Sequence, residues 1–86
     1  MSKQGYITEQ QIEAIDMMAK QIKTLPGGRF INVFRSLTGT VRLQDDRTEE
    51  TRKYTRMFCV CKDDSVSKIM DMMMDAYEKI CEDIKG

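Results

Sequence analysis

Arginine is the residue type best placed to do chemistry in this chain, and its distribution is uneven. All six arginines fall between Arg29 and Arg56. A guanidinium donates paired hydrogen bonds from a planar fork, a geometry matched to carboxylate and phosphate. From residue 29 to 62 there are eight basic and four acidic side chains. From residue 63 onward there are seven carboxylates and three lysines. The first 28 residues balance at three against three. A formal net charge of zero thus covers a bipolar molecule with a basic middle and an acidic end. The expected anion- or partner-contacting residues are Arg42, Arg52, Arg56 and Arg35, in that order. Arg42 and Arg56 are expected to share one strand face, and Arg52 to sit at a loop edge. Arg35 depends on how residues 30–37 fold.

Carboxylates form the second pattern. Asp71, Asp75, Glu78 and Glu82 recur at i, i+4, i+7 and i+11, which aligns them along one side of a helix. Paired helical carboxylates can hold magnesium when they project inward between helices. Here the row lies opposite the apolar stripe, so it reads as a solvated ridge. It is a second candidate contact surface, together with Met72, which is expected to point away from the stripe. The eight methionines are dense, and four fall between Met70 and Met74. Met17 also lies off its helix stripe, and thioethers repack easily around a partner.

Cysteine offers less. Cys59 and Cys61 stand on one strand face and Cys81 on the last helix, and all three are expected to be buried apolar filler. With no histidine in the chain, the commonest general base and metal ligand are missing. Three thiols alone do not complete a zinc site. No glycine-rich phosphate loop follows Gly27 and Gly28. The reading is therefore no metal, no cofactor and no enzymatic activity.

The elements that must carry these residues follow from periodicity. Residues 7–25 are predicted to form a helix. Thr8 is its N-cap, Gln11 completes a capping box, and Ile7 with Ile12 forms a hydrophobic staple. Ile12, Ile15, Ala19 and Ile22 make its stripe, with Met18 and Leu25 at the edge. Pro26, Gly27 and Gly28 end it. Residues 30–37 fit one helical face through Phe30, Ile31, Val33, Phe34 and Leu37, with Gly39 as a cap. A strand turning at Thr38 and Gly39 would set Arg35 opposite Arg42, an unfavourable pairing. The spacing therefore favours a helix there, with a first strand as the alternative. Residues 40–44 alternate as a strand, and 45–51 read as a polar loop. Residues 52–62 form the clearest strand. Its faces, Met57, Cys59 and Cys61 against Tyr54, Arg56, Phe58 and Val60, are both apolar toward the end. It is expected to be covered on both sides. Asp64 or Ser65 caps a final helix reaching about residue 84.

One domain, residues 1–86, is expected: an α+β fold with a small antiparallel sheet, either a hairpin or a three-stranded meander. The N- and C-terminal helices should pack on one face. No apolar run reaches the ~18–20 residues of a membrane span, and no secretory leader is read at the N-terminus. Three cysteines fit a reducing cytoplasm. A homodimer is expected, because one small domain cannot cover both faces of strand 52–62. The function expected is that of a small non-catalytic regulator or inhibitor docking on a larger macromolecule, with a protein as the expected partner, through its polarised charge. Nucleic-acid or nucleotide binding at the arginines is the alternative. Against that alternative, the sequence pI of about 6.2 is far below the value above ~9 usual for such domains.

Overall fold

A computed structural model describes residues 6–47 and 54–86. The order of elements is α1 (Glu9–Lys23), a single 3-10 turn (Gly28–Phe30), β1 (Ile31–Arg35), β2 (Thr40–Asp45), β3 (Thr55–Cys59) and α2 (Val66–Lys85). The strands make an antiparallel meander in the order β1-β2-β3. Both helices lie against the sheet and against each other, giving the α+β fold expected. No helix among the described residues is long and apolar enough to cross a membrane.

The first helix begins as its sequence predicts. Thr8 Oγ1 accepts from the Gln11 backbone N–H at 3.2 Å, and Gln11 Oε1 accepts from the Thr8 N–H at 2.9 Å. The buried line runs through Gln11, Ala14, Ile15, Met18 and Ile22. It is rotated slightly from the expected stripe, leaving Ile12 and Ala19 half-buried. Met17 is 60% exposed. At the C-terminus, Thr24 N–H donates to Gln21 O, and Gly27 adopts a left-handed φ of 76°. The chain then turns so closely that a Cβ on Gly28 would lie 1.7 Å from Ile22 O.

Residues 30–37 do not form a helix. They begin in the 3-10 turn and continue as β1. The objection to a strand assumed Arg35 would face Arg42. Instead Ser36 N–H donates to Thr40 O at 2.9 Å, leaving Leu37, Thr38 and Gly39 as a three-residue loop. That odd loop length shifts the register by one residue. Phe34 faces Arg42, and Arg35 faces Val41. Gly39 has φ +101°, and a Cβ there would lie 2.1 Å from Val60 O.

Strand parity then assigns the faces. Ile31, Val33, Val41, Leu43, Asp45, Arg56 and Phe58 lie on the helix side. Asn32, Phe34, Arg42, Gln44, Met57 and Cys59 lie on the other. The core joins Ile31, Val41 and Leu43 to Ile15, Ile22, Ile69, Met73 and Ile80, all fully buried. Tyr77 closes one end, its hydroxyl donating to Pro26 O at 2.6 Å. Burial first, then Cys81 and Glu78, hold its phenol above the ordinary value.

Two expectations about β3 are corrected. The strand is Thr55–Cys59, with Arg52 and Lys53 outside the described residues. It is covered on one face only, since Met57 is 63% exposed and Cys59 is also exposed. The cysteines accordingly do not fill the helix–sheet interface. Cys59 shares the uncovered face with Met57, Cys61 lies beyond the strand, and Cys81 is half-buried.

Ser65 caps α2 by accepting from Lys68 N–H. Asp64 stands just ahead of it, accepting from Cys61 N–H at 2.8 Å and pairing with Lys68. The Cys61 hydrogen bond, with help from Lys68, holds the Asp64 carboxyl below the usual range. Ile69, Met73, Ala76, Tyr77 and Ile80 form the buried line of α2.

Candidate interaction surface

Folding pairs three arginines of the window with carboxylates of the same chain. Arg35 leans from β1 onto α1, where its Nε and Nη2 donate to the two oxygens of Asp16 at 2.8 and 3.1 Å. This hydrogen bonding is the largest cause holding the Asp16 carboxyl below its ordinary value, and it raises Arg35 in turn. The pair is partly solvated, so its net worth is below about 1 kcal/mol. Arg56 reaches the other helix and pairs with Asp83. Arg47 pairs with Asp45, which is fully buried, through a side-chain contact of 2.9 Å and its own backbone N–H at 2.8 Å. Arg47 and Arg29 also stack on the Phe30 ring, with Cζ 4.6 and 4.8 Å from its centroid.

Arg42 is disposed differently. It stands at the centre of the uncovered face, between Phe34 on β1 and Met57 on β3. Its Cζ lies 4.6 Å from the Phe34 centroid, within cation–π range. Its Nε is shielded from solvent and has no hydrogen-bond partner. No carboxylate among the described residues pairs with it. The expectation that Arg42 and Arg56 share a face is therefore overturned. Arg56 faces Leu43 while Arg42 faces Met57, and neighbouring positions on a strand point to opposite sides.

Around Arg42 the surface forms a shallow hollow of about 210 Å³, lined by Phe34, Arg35, Ser36, Thr40, Arg42 and Met57. Phe34 is 45% exposed and Leu37 in the adjoining turn 52%. At the other end of this face the groups satisfy one another. Gln44 donates to Asp46 at 2.8 Å, Asn32 donates to the same carboxylate, and Lys23 donates to Asn32 Oδ1 at 3.0 Å. One end of the face is thus polar and internally paired, and the other is apolar around one unpaired cation.

On α2 the carboxylates Asp71, Asp75, Glu78 and Glu82 are all exposed, and Asp75 pairs with Lys79 at 3.1 Å. Met72 does not point away from the core. It is half-buried against the core cluster and lines a groove with Arg56, Met57, Phe58, Asp75, Ala76 and Lys79. Among the described residues, no three Cys, Asp or Glu side chains converge in a way that could hold a metal ion. Arg52 lies outside the described residues.

Sequence reasoning missed Gln11 as anything beyond a cap. It is buried, and its Nε2 lies 2.9–3.0 Å from the carbonyl oxygens of Cys61, Lys62 and Asp64. Two N–H bonds shared among three acceptors tie α1 to the turn before α2. A glutamine one turn into an apolar stripe, at a position otherwise given to hydrophobes, was the available signal.

Compared with known protein families, curated proteins and solved structures, the chain matches none.

Proposed function

We propose that this chain is a small non-catalytic interaction protein that docks on a larger protein through the uncovered face of its sheet. One observation carries the reading: Arg42, unpaired and stacked on Phe34 beside exposed Met57. A half-buried guanidinium framed by apolar groups complements a single carboxylate that is itself ringed by apolar side chains. Aromatic, Met and Arg side chains are also the types enriched at the centres of protein interfaces. Nucleic acid is less well matched. Affinity for a phosphate backbone grows with the number of free cations that track it, and Arg35, Arg47 and Arg56 already have carboxylate partners. The acidic ridge of α2 would further repel a polyanion.

The test uses nuclease-treated lysate of the source cell passed over immobilised wild-type, Arg42→Glu and Arg29→Ala proteins. The expected result is a protein retained by wild type and by Arg29→Ala but lost from Arg42→Glu, with circular dichroism confirming that all three are folded. Equal retention on all three columns, no retention, or retention seen only from a parallel lysate without nuclease would overturn the reading.

A further inference from the structure

The two edges of the sheet differ in how they are guarded. At β1, Lys23 reaches over to Arg29 O and Asn32 Oδ1, and the Arg35–Asp16 pair stands at the far end. Lysines and charged pairs are the usual means of keeping an edge from recruiting another strand. β3 has a charged pair too, Arg56 with Asp83, but it carries no lysine and no proline, and it is the last strand of the sheet. The direction of its free groups follows from the ladder. Ser36 N–H bonds Thr40 O and Asp46 N–H bonds Phe30 O, so even-numbered residues of β2 face β1. Odd-numbered ones face β3, in line with Val60 N–H bonding Gly39 O at 2.7 Å. The backbone groups of Arg56 and Phe58 therefore point to β2, while those of Met57 and Cys59 point outward.

We propose that the β3 edge pairs antiparallel with the same edge of a second copy, making a two-fold symmetric dimer with a continuous six-stranded sheet. With the axis at Phe58, Met57 of each copy exchanges both backbone hydrogen bonds with Cys59 of the other. The helix layer fits this arrangement. α2 lies over both β2 and β3. Adding a strand at the normal spacing of ~4.8 Å sets the two α2 helices about 10 Å apart, an ordinary packing distance. The flank of α2 turned to this edge is the groove wall of Met72, Asp75, Ala76 and Lys79. Its spacing of i, i+3, i+4 and i+7 makes one stripe. Ala76 is buried at the foot of this stripe, and Met72 beside it supplies apolar surface that adapts to a partner. The charges are self-complementary. Asp75 and Lys79 now pair with each other at 3.1 Å, and across an antiparallel two-fold Asp75 of one copy meets Lys79 of the other. An isologous interface requires such reciprocity. The two uncovered faces become coplanar, with the two Arg42 positions three strand spacings apart across the sheet and two residues apart along it, about 16 Å.

Light scattering coupled to size exclusion tests this directly. Wild type is expected at twice the chain's 10.0 kDa. Met57→Pro removes only an outward N–H, which an edge strand tolerates, so a folded monomer is expected. Asp75→Lys and Lys79→Asp should each raise the dimer dissociation constant about tenfold, or ~1.4 kcal/mol. The double exchange Asp75→Lys/Lys79→Asp should restore it. If Met57→Pro fails to fold, the charge-exchange series decides alone. A wild type monomeric at hundreds of micromolar, a folded Met57→Pro dimer, or a double exchange no better than the singles would overturn the proposal. Arg42→Glu leaves this dimer intact, so a failure of the docking reading and a failure of the dimer register separately.

Discussion

Gln11 joins the start of α1 to the turn before α2 with one side chain. Its carbonyl caps α1, and its amide serves the backbone oxygens of Cys61, Lys62 and Asp64. A buried polar group without a partner is destabilising by more than a satisfied hydrogen bond contributes. Gln11→Leu is therefore expected to lower unfolding free energy by about 2 kcal/mol, as measured by urea denaturation. Gln11→Glu should be worse than Gln11→Leu at neutral pH, because a carboxylate has no donor and sets a charge beside three carbonyl oxygens. Equal stability of the two variants would show that the amide is not the tie. The same logic distinguishes the arginines. Arg35, Arg47 and Arg56 answer carboxylates of their own chain, whereas Arg42 has an aromatic ring and no anion.

Among the elements, β1 is the instructive one. Phe30, Ile31, Val33, Phe34 and Leu37 fit a helical face, yet the segment pairs with β2. The decision rests on the hairpin. Gly39 supplies a positive φ that other residues adopt only with strain, and its Cα hydrogens lie against Val60 O. Gly39→Ala should therefore destabilise the protein by about 2–3 kcal/mol, read from thermal and urea unfolding, and should loosen the contact between the β1–β2 turn and Val60. A loss comparable to an ordinary surface substitution would mean that the turn relaxes freely. The helices were legible because their signals are local. Thr8 with Gln11, and Ser65 with Lys68 N–H, are contacts within one turn. A hairpin register depends on whether two or three residues close the loop, and one residue exchanges the faces of a whole strand.

The charge distribution of the whole molecule has its main effect inside the fold. The two flanking helices fold back over the basic middle, so Asp16 on α1 and Asp83 on α2 neutralise Arg35 and Arg56. This predicts an acid limb. In the folded chain the Arg35 hydrogen bonds hold the Asp16 carboxyl below the ordinary aspartate range, and the Cys61 N–H does the same for Asp64. A carboxyl with a depressed folded value stabilises fully above its unfolded value and loses that contribution as pH falls through the folded one. Melting temperature should thus be nearly level from pH 7 to about 5 and fall below about 4. The Asp16→Asn/Asp64→Asn double variant should show a shallower fall across the same range. An identical acid limb in wild type and variant would assign the effect to other groups.

The chain's own pattern was enough to define the α+β class, both helices with their caps, the second strand and the solvated carboxylate ridge. Each is set by contacts or periodicities within a few residues. The tertiary structure decided the rest. It placed Arg42 and Arg56 on opposite faces, exposed Cys59 and Met57, drew Met72 into the core edge and enlisted Gln11 as a tie between distant turns. The physical reason is common to all four. Which face a strand residue occupies depends on register, and which face is covered depends on where two helices dock. Both are settled by contacts between residues far apart in the chain, which no local spacing encodes. Among the described residues, three arginines of the basic window that dominates the sequence are thereby paired with carboxylates of their own chain, and Arg42 is left without one on the open face of the sheet.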